Sequence, residues 1–126
     1  MLLRISFAAL LFLMVAGLYL LWRRPSRRLR GLDLRDLGVR GPVIVQFSTR
    51  LCAPCKAAIP RLEEASRQSG VQLVQVDVGD RPELARRYGI RTVPTIVVAR
   101  RSGDVLGSWA GMPADGEVLE AARGVR

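Results

Sequence analysis

The chain contains two cysteines, Cys52 and Cys55, in the segment Leu51-Cys52-Ala53-Pro54-Cys55-Lys56. Two intervening residues keep both thiols at one end of a helix, close enough to join as a disulfide and open again. The chemistry this spacing serves is reversible dithiol–disulfide exchange. A static disulfide is the plainer reading, but so small a loop closes little chain entropy and would stabilise weakly. A zinc site needs four ligands, and this chain offers two thiols and no histidine, so only a dimer of such pairs could supply one. The missing histidine also removes the usual general base and any Ser-His or Cys-His pair.

The flanking text says what positions the pair. Val43-Ile44-Val45-Gln46-Phe47-Ser48 reads as a buried strand and Ala53 to Gln68 as a helix, stopped by Gly70. Cys52 then stands at the helix N-terminus, where unpaired N–H groups and the helix dipole favour a thiolate. It is the expected nucleophile, and Cys55, one turn inside, the shielded resolving thiol. Pro54 suits a first turn, which can spare an N–H; Pro60, further in, should bend the helix. Ala53 and Pro54, between the thiols, are expected to tune the pair. Lys56 is expected in solvent, its charge able to favour a nearby thiolate.

The charge has to be located before it is interpreted. Of 20 basic side chains, Arg4, Arg23, Arg24, Arg27, Arg28 and Arg30 flank one apolar run, leaving 14 against 11 acidic elsewhere. The excess fits a juxtamembrane cluster meeting anionic headgroups rather than a nucleic-acid surface, and no nucleic-acid partner is expected. Ile5 to Trp22 is apolar almost throughout and close to the length of a bilayer span. It ends in Leu20-Leu21-Trp22 and passes directly into Arg23-Arg24-Pro25, without the small residues of a cleavage site, which favours an uncleaved anchor over a signal peptide. Trp22 and Tyr19 would lie near the interface. The expected organisation is a transmembrane anchor at 1–22, a basic linker at 23–41 and one domain at 42–126. The five arginines after the span place that domain on the cytoplasmic side of a cell membrane, in a single-pass arrangement, with the extracytoplasmic side as the alternative.

Beyond the linker, Gly31 to Gly41 can hold a turn or two of amphipathic helix around Leu32, Leu34 and Leu37. Val71 to Val78 is strongly β-prone, and Pro82 to Tyr88 reads as a helix with Asp80 as N-cap candidate and Gly89 as its stop. Thr95 to Ala99 and Val105 to Trp109 read as strands joined by a hairpin turn at Arg100-Arg101-Ser102-Gly103-Asp104. A last helix is expected from Ala114 to Arg123. The order β-α-β-α-β-β-α gives an α/β fold: a mixed central sheet, first two strands parallel and last two antiparallel, with helices on both faces. Tyr88 and Trp109 are expected to pack, and Asp77 and Asp80 to end a strand and cap a helix. Gln46, on a buried strand, needs a polar partner, for which Gln75 is the candidate.

These residues resemble the thioredoxin family. The resemblance is carried by Cys52-Ala53-Pro54-Cys55-Lys56 after a buried strand, Pro60 in the following helix, Arg87-Tyr88-Gly89-Ile90-Arg91-Thr92-Val93-Pro94-Thr95 about 40 residues on, Ser102-Gly103-Asp104-Val105 at the hairpin and Gly111. It covers about Pro42 to Ala122 and implies the thioredoxin fold, preceded here by the N-terminal transmembrane helix. It further implies a cis Pro94 lying against the cysteines, with Val93 and Thr95 beside it pairing with the bound substrate chain. Gln46 stands where the family carries a buried aspartate that helps move the resolving thiol's proton, and Gln75 stands at the matching lysine position. Leu51 replaces the family's tryptophan, and Ser48 an aromatic.

The expected function is that of a membrane-tethered thiol–disulfide oxidoreductase of the protein-disulfide reductase type, serving cell redox homeostasis as a monomer. It would exchange electrons with protein thiols and disulfides, need an upstream electron-donor protein, and require no cofactor or metal. The contrasting reading is a non-enzymatic membrane-anchored binding module that uses the same groove without turnover.

Overall fold

The computed structural model describes residues 1–22, 29 and 31–125, without the side chains of residues 2, 4 and 22. Most of the expected linker, at 23–28 and 30, and the interfacial place of the Trp22 side chain lie outside the described residues.

Helix α1 spans Leu2–Trp22, and Phe7, Leu11, Leu13, Met14 and Leu18 are all exposed on it. Among the described residues no helix is long and apolar enough to cross a membrane. The structure therefore shows a helix where a transmembrane helix was expected, and does not show the span.

The domain follows the expected order. After a 3₁₀ turn at Leu34–Leu37 come β1 (Val43–Ser48), α2 (Ala53–Ser69), β2 (Gln72–Asp77), α3 (Pro82–Tyr88), β3 (Thr95–Ala99), β4 (Val105–Ala110) and α4 (Glu117–Arg123). The four strands form one sheet in the order β2-β1-β3-β4. β1 is parallel to β2, and β3 is antiparallel to both β1 and β4. α2 continues through Pro60, with Ala58, Leu62 and Ala65 buried around it.

The central strand β1 is buried on both sides, and strand alternation divides it between two cores. Val43, Val45 and Phe47 pack with Val97, Ala99, Val76, Leu84 and the 3₁₀ residue Leu34. Ile44 packs with Ile96 and Val98 of β3, with Ala58 and Leu62 of α2, and with Val118 and Ala122 of α4. The sheet thus has α2 and α4 on one face and α3 with the 3₁₀ turn on the other.

Two contacts tie the N-terminal segment down. Gly31 forms an antiparallel bridge with Asp104, and the Leu32 N–H donates to the Gly103 carbonyl at 2.9 Å. Because Val43 pairs with Ala99, the β3–β4 turn and this bridge lie at the end of the sheet where β1 begins. On the other core face, the Tyr88 hydroxyl donates to Asp36 Oδ2 at 2.5 Å and accepts the Asp33 N–H at 3.1 Å. Arg87 Nη1 donates to the same carboxylate at 2.6 Å, and Arg81 Nη1 to the Asp36 carbonyl at 2.7 Å. The Tyr88 hydroxyl, and after it the Arg87 guanidinium, hold the Asp36 carboxyl below its ordinary range. Burial first, then Asp36, pushes the Tyr88 phenol up.

Three expectations are corrected. Asp80 does not cap α3: Arg81 holds the cap position with no side-chain hydrogen bond, and Asp80 is taken by Arg50 instead. The last helix begins at Glu117 rather than Ala114, because Gly116 enters it with φ +85° and Glu117 Oε2 accepts the Ala114 N–H, folding the preceding residues into a loop. Gln46 and Gln75 are neighbours in register, yet the buried amide turns to the helix and not to its strand neighbour.

Candidate functional site

The site is assembled where β1 ends and α2 begins. Cys52 is the residue before the helix, in extended conformation (φ −93°, ψ 101°), and its Sγ accepts the Cys55 N–H at 3.2 Å. A sulfur thus occupies the capping position that a side-chain oxygen usually fills. Pro54 sits in the first turn, where its missing N–H costs no intrahelical bond. The two sulfurs are joined as a disulfide with Cα atoms 5.2 Å apart. Cys52 is 8% exposed and Cys55 2%, both buried. Ala53, Pro54 and Lys56 are exposed around them, and Leu51 is 99% exposed just before.

Behind Cys55 lies a cleft of roughly 320 Å³, lined by Gln46, Ser48, Arg50, Lys56, Gln75 and Asp77 among others. Gln46 is fully buried and its Nε2 donates to the Cys55 carbonyl oxygen at 2.8 Å, linking the central strand to the first turn of α2. Its Oε1 is buried without a partner among the described residues. Arg50 reaches Asp80 Oδ2 at 3.1 Å and Asp77 Oδ2 at 3.5 Å. Sequence reasoning missed Arg50 and the Gln46–Cys55 bond; the signal for the second was a polar residue inside an apolar strand.

The Val93–Pro94 peptide bond is cis, and Pro94 is buried. Thr95 pairs with Phe47 near the end of β1, so topology brings Val93, Pro94 and Thr95 to the end of the sheet that bears Cys52. Thr95 Oγ1 donates to the Thr92 carbonyl at 2.5 Å, and the Pro94 carbonyl accepts the Gly111 N–H at 2.7 Å, fixing this loop from both sides. Among the described residues no group of three His, Cys, Asp or Glu side chains could hold a metal ion. A larger groove of roughly 390 Å³, between α2 and α4, is lined by neither cysteine.

The sequence profile of the thioredoxin family matches residues 35–122. The chain belongs to the thioredoxin family. Among its relatives is the mitochondrial thioredoxin of Bos taurus, 39% identical over 95 residues, a match covering 72% of this chain and 56% of that one. The thioredoxin of Bacillus subtilis is 32% identical over 88 residues, covering 68% of this chain and 71% of that one. This chain thus spans little more than half the length of the mitochondrial relatives it matches. In fold it is similar to a mutant thioredoxin of Halobacterium salinarum, with a TM-score of 0.64 and 24% identity, covering 77% of this chain and 87% of that one. Thioredoxin 1 of Thermosipho africanus superposes with a TM-score of 0.57 at 22% identity, covering 63% and 88%. The thioredoxin fold expected for the domain is therefore present, and the profile's match includes Cys52, Cys55 and Pro94.

Proposed function

We propose that this chain is a thiol–disulfide oxidoreductase that reduces disulfides of protein substrates while tethered to a membrane by α1. The observation that carries it is the Cys52–Cys55 pair, closed as a disulfide at a helix start, with its first sulfur in the capping position and its second nearly inaccessible. In the reduced form the Cys52 thiolate attacks one sulfur of a substrate disulfide, breaking that bond and releasing one substrate thiolate. Cys55 then loses its proton and attacks Cys52 Sγ, forming the internal disulfide and expelling the second substrate thiolate. Two electrons pass from the dithiol to the substrate, and solvent protonates the products. An upstream thiol protein restores the dithiol by the same exchange in reverse. Val93, Pro94 and Thr95 lie where an extended substrate segment would be held.

Tethering is supported by the 21 residues of α1 and by the exposure of its described apolar side chains on every side. At 1.5 Å per residue the helix is about 31 Å long, near the thickness of a hydrocarbon core. The arginines that follow favour the cytoplasmic side for the domain.

The chemistry is tested with Cys55→Ser. That variant should accumulate covalent Cys52-linked substrate adducts, visible on non-reducing gels and removed by a reductant. Partners retained without any adduct would mean a binding module, and the exchange reading would be abandoned. Topology is tested by labelling Cys52 in intact cells with a membrane-impermeant thiol reagent after mild reduction. Protection that vanishes on permeabilisation fits the cytoplasmic side, and labelling of intact cells rejects it.

A further inference from the structure

We infer that the pole of the domain at which the chain enters is a docking face for an anionic lipid surface, built by Arg40, Arg100, Arg101 and Arg123. The inference rests on the tethering proposed above and deepens it, since it fixes how the domain sits on the bilayer. Its first support is topology. Val43 pairs with Ala99, so Arg40 before β1 and Arg100 and Arg101 after β3 share one end of the sheet. Helix α4 returns to the same end: a Cβ on Gly124 would lie 3.7 Å from Leu106 Cδ1, near the start of β4, and Arg123 closes the helix. Gly31 bridges to Asp104 here too, so the chain arrives from α1 at this pole.

The second support is the state of the charges. All four arginine side chains are exposed, and none has a hydrogen bond or ion pair among the described residues. Arg35, shortly after the bridge, and Arg67, near the end of α2, are by contrast matched by Asp33 and Glu64. The unmatched carboxylates described at the pole are Asp104, whose Oδ2 accepts the Ser102 hydroxyl, and Glu120, one turn before Arg123. Four arginines against two carboxylates leave two positive charges in excess. At the Cys52 pole charge balances, with Arg50, Arg61, Lys56 and Arg91 against Asp77, Asp80, Asp115 and Glu117. The unmatched positive end of the domain is therefore the end nearest the tether.

Anionic headgroups attract basic side chains that come within a Debye length of them, ~8–10 Å at physiological salt. The eight residues from Arg23 to Arg30 extend at most ~28 Å, which keeps the pole within reach of the headgroups. Five of those eight are arginines, so the linker and the pole present one continuous positive field to the bilayer.

The test uses the full chain in nanodiscs of phosphatidylcholine, with or without phosphatidylserine. A donor dye is attached at Ser102→Cys, with Cys52→Ser and Cys55→Ser removing the native thiols, and an acceptor dye is carried by the headgroups. Energy transfer should be higher in the anionic discs and fall to the level of the neutral discs in about 1 M salt, where the Debye length is ~3 Å. Arg100→Gln combined with Arg101→Gln should lower the ratio of docked to free domain about 25-fold, at roughly fivefold for each arginine near the surface. Arg86→Gln, on α3 and likewise exposed, should leave that ratio unchanged. The linker arginines are the same in every arm, so a loss confined to the double variant belongs to the pole. Transfer indifferent to phosphatidylserine, or reduced equally by Arg86→Gln, overturns the inference. A chain that washes out of neutral discs in high salt would instead bring down the tether, and the docking face with it.

Discussion

A pair of thiols performs exchange only if its members are unequal, and the inequality here comes from one residue of helix geometry. Cys52 precedes the first turn and meets the helix N–H groups; Cys55 is inside that turn and nearly inaccessible. Both positions were legible from spacing alone, because the helix start follows from the strand before it and the proline within it. The partner of Gln46 was not legible, since strand register placed Gln75 beside it while the packing of α2 supplied a nearer acceptor, Cys55 O. The loop that carries Pro94 offers a prediction at the same scale. Thr95→Val keeps the shape of a buried side chain but removes its hydrogen bond to the Thr92 carbonyl, so stability should fall by about 1 kcal/mol. A melting temperature identical to that of the unaltered chain would show that the hydroxyl does not anchor the loop.

Among the elements, strands and helices tied to strong periodicity came out at their expected limits, as β1, α3 and β3 did. The misplaced end was the start of α4, set by Gly116 and the Ala114–Glu117 bond, and the misread cap was Asp80, drawn to Arg50, 30 residues earlier. The contact of the 3₁₀ turn with α3 was likewise invisible in sequence, since Asp36 and Tyr88 are 52 residues apart. Tyr88→Phe should lower stability by roughly 1.5–3 kcal/mol, the range for a hydrogen bond to a charged group, measured by denaturant unfolding. The pH dependence has two limbs. A carboxyl lowered on folding contributes stability that is complete above the ordinary carboxylate range and is lost as pH falls through the folded value of Asp36. A phenol raised on folding contributes stability that is complete below about pH 10 and is lost as pH rises through the folded value of Tyr88. Asp36→Asn should therefore flatten the acid limb of stability against pH, and an unchanged acid limb would assign that loss to other carboxylates.

For the whole molecule, the sheet and its two cores account for the fold, and the segment before β1 is fastened at two places, to Tyr88, Arg87 and Arg81 through Asp33 and Asp36 and, nearest its start, at Gly103. That glycine has φ +92°, and a Cβ there would come within 2.4 Å of the Leu32 carbonyl oxygen. Gly103→Ala should cost about 1–3 kcal/mol from strain and from the lost Leu32–Gly103 bond. Amide exchange should accelerate at Leu32, and protection as in the unaltered chain would rule this contact out as the fastening. The position of that fastening has a consequence for reach. Gly31 enters the domain beside the β3–β4 turn, at the opposite pole of the sheet from Cys52. With α1 in a bilayer, the eight residues from Arg23 to Arg30 extend at most ~28 Å, and the sheet adds roughly the 17–20 Å of its strands. If the proposed tether holds, Cys52, at the pole of the sheet remote from Gly31, would be the part of the domain farthest along the chain's path from its attachment. Under that proposal, the disulfides within reach would be those projecting toward the domain rather than those lying flat against the headgroups.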